Sequence, residues 1–127
     1  MTTHTYDSGL IGNCSYIAHI QKNTNISWLC LPRFDSDFVF GGMLDQERGG
    51  EFTILPESGD FQSSQRYLEN TNILETTLEN GSGSFRVTDF APRFNNFDRI
   101  FRPLMLIRKV EPIQGTPRIK ISCKPVY

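Results

Sequence analysis

The sequence predicts an all-β protein: an antiparallel β-sandwich, part of a larger super-sandwich, with at most one or two short helical turns. Three observations carry that reading. Apolar residues recur at every second position in short runs, as in Tyr16-Ile17-Ala18-His19-Ile20 and Phe85-Arg86-Val87, the period of a half-buried strand. Clusters such as Lys22-Asn23-Thr24-Asn25 and Asn80-Gly81-Ser82-Gly83 separate the runs and supply the residues that tight turns prefer. Ten Phe, four Tyr and one Trp weight the composition toward side chains that fit a pleated surface.

Taken in order, Ser8-Gly9-Leu10-Ile11-Gly12-Asn13 places glycines three apart and predicts a tight bend entering the first strand. No lysine follows the second glycine, so it is not a phosphate loop. Ser15 to Gln21 reads as a strand with Tyr16, Ala18 and Ile20 on one face. Lys22 to Asn25 is its turn, with asparagine suited to the left-handed region. The return strand, Ile26 to Leu31, is apolar at nearly every position and predicts burial on both faces. Trp28 within it reads as core, with stacking on a sugar as the alternative. Pro32 cannot donate to a ladder, so pairing should weaken there, and Arg33, Asp35 and Ser36 then surround Phe34 in a surface loop.

Phe38 to Leu44 has spacings that a short helix could use, weakened by Gly41-Gly42. After the polar turn Asp45 to Gly50, Glu51 to Leu55 alternates Phe52 and Ile54 as a strand ended by Pro56. A loop to Ser64 precedes a short strand at Gln65 to Leu68. Thr71 to Glu79 and Ser84 to Phe90 form the clearest hairpin. Ala91 to Arg102 reads as a long aromatic and basic loop, with Phe94, Phe97 and Phe101 among Arg93, Arg99 and Arg102. Leu104 to Val110 and Arg118 to Cys123 are two further strands joined around Gly115.

The 127 residues suit one domain. A net charge of -1 with scattered basic residues offers no field for nucleic acid or for an anionic membrane surface. No run of eighteen apolar residues and no leader pattern at Met1 to Asp7 is present, so a cytoplasmic location is expected. Cys14, Cys30 and Cys123 are odd in number and at no metal-ligand spacing, which predicts buried core thiols. His4 and His19 are too far apart to suggest a metal site, and no cofactor motif occurs. Asp35 and Asp37 lie close together on one loop, where two carboxylates can hardly flank a scissile bond. No Ser or Cys has a recognisable base beside it.

The block Trp28-Leu29-Cys30-Leu31-Pro32-Arg33-Phe34-Asp35-Ser36 resembles the N-terminal domain of glycoside hydrolase family 15, the glucoamylase and trehalase-like enzymes. Gly9-Leu10-Ile11-Gly12-Asn13, Phe40 to Asp45 with Gly49-Gly50, Tyr67 followed by Thr71-Asn72-Ile73-Leu74, and Asp89-Phe90-Ala91-Pro92 follow that family's order. The turn Asn23-Thr24-Asn25 departs from its usual Asp-Gly-Ser type. The resemblance implies a β-sandwich preceding an (α/α)6 barrel that holds two catalytic glutamates, separated in inverting enzymes by roughly 6.5–9.5 Å. No residue of this chain maps onto either role. The family's sandwich is longer, so the resemblance implies that 1–127 is a single non-catalytic domain, expected to be incomplete at its C-terminal end.

The expected function is therefore support of an α-glucosidic-bond-cleaving barrel of the same polypeptide. A stand-alone carbohydrate-binding module and a β-edge oligomerisation domain are the alternatives. Arg33, Phe34, Asp35 and Ser36 are the candidates for contact with the barrel or with the rim of a site for trehalose or an α-glucan; a solvated loop is the other reading. Phe94, Phe97 and Phe101 are candidates for an interdomain or homodimer patch, against simple local packing.

Overall fold

A computed structural model describes residues 8–126; the N-terminal pattern and His4 lie outside them. These residues form twelve strands and no helix. The front sheet is a meander of β1 (Ser8–Gly12), β2 (Ile17–Gln21), β3 (Ile26–Cys30) and β4 (Phe38–Phe40). The back sheet has β6 (Gln62–Tyr67), β7 (Leu74–Asn80) and β8 (Gly83–Phe90) in sequence, with β11 (Ile107–Gly115) added beyond β8. Beside the front sheet, β5 (Glu51–Pro56) pairs with β12 (Ile119–Lys124). A last hairpin, β9 (Phe94–Asn96) and β10 (Arg99–Phe101), stands apart. Every pairing is antiparallel.

Two apolar clusters hold the layers together. Ile11, Ala18, Ile20, Ile26, Leu29 and Phe40 of the front sheet, with Tyr16, close on Leu74 of the back sheet. Ile54 of β5 closes on Leu78, Phe85 and Val87. Phe52 packs against both clusters. One face of the back sheet is thus covered by the front sheet and by β5, the sandwich the alternation predicts.

The register explains which side chains enter. Across the back sheet Leu78 opposes Phe85, Thr76 opposes Val87, and Leu74 opposes Asp89, which in turn opposes Arg108. The period of two therefore carries a carboxylate and a guanidinium into the interior beside the apolar pairs. Arg108 Nε donates to Asp89 Oδ1 at 2.7 Å and Nη2 to Oδ2 at 3.3 Å, with the two side chains 4% and 0% exposed. Nη1 donates to the carbonyl of Phe52 on β5 at 2.9 Å, and Nη2 also donates to the carbonyl of Thr24. Four of the five guanidinium donors are so engaged, and the group lies 4.7 Å over the Phe52 ring. Burial pushes the Asp89 carboxyl up from its ordinary value, opposed by the charge and hydrogen bonds of Arg108.

Several expectations are corrected. Ser8 to Gly12 is a strand in the β1–β2 ladder, not a bend; Gly9 is small because a Cβ there would collide with Leu74 across the layers. In the β2–β3 turn the left-handed residue is Thr24, φ 66°, not an asparagine. Its fully buried hydroxyl accepts from the Ile54 amide at 2.6 Å and donates to the Ile54 carbonyl at 3.0 Å, completing the edge of β5. Phe38–Phe40 pair with β3 as a strand. The segment Ala91 to Arg102 contains β9 and β10. Of the last two strands, the first begins at Ile107, not Leu104, and runs on to Gly115; β11 pairs with β8 and β12 with β5. Cys30 is buried, its thiol pushed up by burial and by Asp37, but Cys14 and Cys123 are exposed.

Replacing Arg108 with leucine leaves Asp89 buried without its counter-charge, so Arg108→Leu should lower the unfolding free energy by roughly 3–5 kcal/mol. Urea denaturation with Arg33→Leu as control, expected within about 0.5 kcal/mol of wild type, checks this. A value for Arg108→Leu within about 1 kcal/mol of wild type contradicts a structural role for the pair.

Candidate functional site

The loop after β3 begins at Leu31-Pro32, a cis peptide bond, and is closed by its own polar groups. Arg33 N donates to Ser36 Oγ at 3.1 Å and Ser36 N to the Arg33 carbonyl at 3.1 Å. The guanidinium and carboxylate of Arg33 and Asp35 face each other in two contacts of 3.2 Å, Nε to Oδ1 and Nη2 to Oδ2, yet are 76% and 72% exposed. An ion pair in that much water contributes between zero and about 1 kcal/mol to stability. Its geometry nonetheless presents a fixed fork, with Phe34 exposed beside it. Arg33, Phe34, Asp35 and Ser36 are thus brought together in one surface loop.

Phe94 and Phe101 are register partners on β9 and β10, their rings meeting edge to face at 5.3 Å, and Phe97 sits at the turn, 94% exposed. These three also share one element, separate from both apolar clusters. Its root is fixed from below. Asn13, buried, donates from Nδ2 to the carbonyls of Pro92 and Pro103, each at 3.1 Å, and accepts from Ser15 N at 3.0 Å. Tyr16, also buried, donates its hydroxyl to the Met105 carbonyl. The asparagine was legible only as part of the Gly9 to Asn13 block, with nothing in sequence to link it to residues some eighty positions away.

Trp28 is not the fully buried core residue expected. It lies half-buried on the outer face of the front sheet, its ring 6.0 Å from that of Phe38. His19, its register partner, is half-buried there too, and burial lowers its pKa. Among the described residues no three His, Cys, Asp or Glu side chains converge as a metal would need, and no helix is long and apolar enough to cross a membrane. A depression of about 350 Å3 at the β7–β8 turn is lined by Asp60, Phe61, Gln62, Glu79, Asn80 and Gly81. Phe61, the one aromatic on that wall, packs on the second apolar cluster.

A family model described as trehalase-like, N-terminal, matches residues 4–122. The chain belongs to that family. Among relatives of the trehalase-like domain, the trehalase of Thermoplasma volcanium is 37% identical over 121 residues, covering 94% of this chain and 19% of that protein. The trehalase of Mycolicibacterium smegmatis is 31% identical over 135 residues, covering 95% and 20%. That of Mycobacterium tuberculosis is 32% identical over 116 residues, covering 81% and 17%. This trehalase-like domain thus spans about a fifth of the length of the curated relatives it matches. No solved structure matches it.

Burial pushes the Tyr16 phenol up to about 12. Its folded value lies above its ordinary one, so its contribution to stability is complete below the ordinary value, about 10, and is lost as pH rises toward 12. Thermal unfolding scanned across that range should show the wild type falling, while Tyr16→Phe, weaker by about 1 kcal/mol at neutral pH, should fall less steeply. Equal slopes would remove Tyr16 as the cause.

Proposed function

We propose that residues 1–127 are the non-catalytic N-terminal β-sandwich domain of an inverting, trehalase-type glycoside hydrolase, supporting a catalytic barrel in the same polypeptide. The observation that carries this reading is the coverage: relatives named trehalase match nearly all of this chain and are about five times its length. Inverting hydrolysis requires a general acid and a general base on opposite sides of the glycosidic bond, at roughly 6.5–9.5 Å. Asp89 is buried against Arg108, which closes it to such work, and the resemblance to the inverting enzymes implies that the reacting carboxylates belong to the polypeptide beyond this domain. The names of the relatives favour α,α-trehalose over longer α-glucans as substrate.

In this reading the Arg33 to Ser36 loop contacts the barrel at the rim of the sugar site, where a fork of donors and a carboxylate can hydrogen-bond hydroxyl groups. Phe94, Phe97 and Phe101 form the interdomain contact, and a homodimer would use the same apolar side chains. A cytoplasmic location is supported by three cysteines, none paired with another.

Glucose release from trehalose should require the longer polypeptide; the 127-residue chain alone should release none. Activity of the short chain by itself would overturn the assignment. In the active longer protein, Asp35→Ala should raise KM by about threefold to tenfold with kcat within about twofold, the pattern of lost uniform binding. Unchanged KM would remove the loop from the substrate rim.

A further inference from the structure

From Arg93 to Arg102 every residue is exposed. The β9–β10 hairpin therefore has water on both faces: Phe94 and Phe101 pair on one, and Ile100, opposite Asn95, faces the other. A two-stranded hairpin with no packed face is marginal at best in water. Its turn is also costly. Phe97 and Asp98 take φ of 50° and 63°, a conformation for which two-residue hairpins use Asn-Gly and which a bulky aromatic rarely adopts. Nothing within the described residues repays this at the tip, since the Phe97 side chain touches solvent almost entirely. The root, by contrast, is held by Asn13 and Tyr16. A blade strained at its tip and rigid at its base is the form of an element shaped for an occupant outside this domain.

Its chemistry narrows the occupant. Arg93, Arg99 and Arg102 against Asp98 leave the segment at +2 in a chain whose total is -1, so the complementary surface is acidic. Apolar side chains on both faces and at the tip call for walls on both sides, which a flat contact cannot give. The depression at the β7–β8 turn of a second copy carries the acids Asp60 and Glu79 but only Phe61 as an apolar wall. The relatives, by contrast, extend for about four times this chain's length beyond what it matches.

We propose that the β9–β10 arm inserts into an acidic, apolar-walled crevice of the polypeptide that follows this domain in the full-length enzyme, with Phe97 at its tip and Asn13 as the residue that aims it. This rests on the reading that a catalytic region follows.

The test is site-resolved labelling of single introduced cysteines in the full-length protein with N-ethylmaleimide, each rate normalised to that in urea. Phe97→Cys and Ile100→Cys should react at least about tenfold more slowly than Gly81→Cys, a turn position with open space around an added Cβ. The protection should persist on dilution, and Asn13→Ala should reduce it. Two introduced sites keep the readout available where one substitution disturbs folding. Rates at 97 and 100 equal to that at 81, or protection that disappears on dilution as a contact between copies would, overturn the proposal. Trehalose hydrolysis by the same wild-type preparation separates the two readings. An active enzyme with a reactive arm refutes only the insertion, whereas a full-length protein inert toward trehalose refutes the assignment beneath it.

Discussion

The structure depends on one guanidinium. Arg108 extends from β11 into the interior and there meets groups from three parts of the fold: the Asp89 carboxylate on β8, the Phe52 carbonyl on β5 and the Thr24 carbonyl in the β2–β3 turn. Taking a carboxylate and a guanidinium out of water is expensive, and their attraction repays it only with good geometry and satisfied remaining donors. Here the pair is joined through two contacts and four of the five guanidinium donors are engaged. The consequence is specificity of assembly: β5 and the front-sheet turn are fixed in register on the back sheet by directional bonds, where apolar packing alone would allow sliding. Thr24 adds to this by lending its hydroxyl to the backbone of Ile54.

That constraint shapes what the domain can contribute to a larger enzyme. Its interior is occupied by structural polar groups, and two segments leave the sandwich: the Arg33 to Ser36 loop beyond β3 and the β9–β10 arm beyond β8. Both start from strands that the core holds still. The loop is closed by its own hydrogen bonds, whereas the arm is clamped only at its root.

Much of the sandwich was legible because alternation and turn chemistry agreed. Tyr16, Ala18 and Ile20 do face the core, and β7 and β8 do form a tight hairpin around Gly81-Ser82. The failures have physical causes. The arm lacks both glycine at its turn and an apolar-polar alternation, so it read as loop; its strands are short and rest on a clamp that only the tertiary structure supplies. Phe38–Phe40 is too short for its period to be counted. Gly9 read as a bend because close approach between layers leaves no mark in one strand's sequence. The ion pair was partly visible: Phe85, Val87 and Asp89 share one face by period two, as do Arg108 and Val110, but charged residues in strands are ordinarily assigned to water. The loop at Arg33 to Ser36 was legible as an exposed surface segment, because Pro32 ends the ladder and charged residues follow it.

Native-state hydrogen exchange in increasing urea tests the central claim, that the Arg108 node makes the layers one cooperative unit. In the wild type, the amides of Ala18 in the front sheet, Ile54 in β5 and Val87 in the back sheet should converge on a single opening free energy. In Arg108→Leu, Ala18 and Ile54 should open at lower free energy than Val87. Separate isotherms in the wild type, or convergence that survives the substitution, would contradict it.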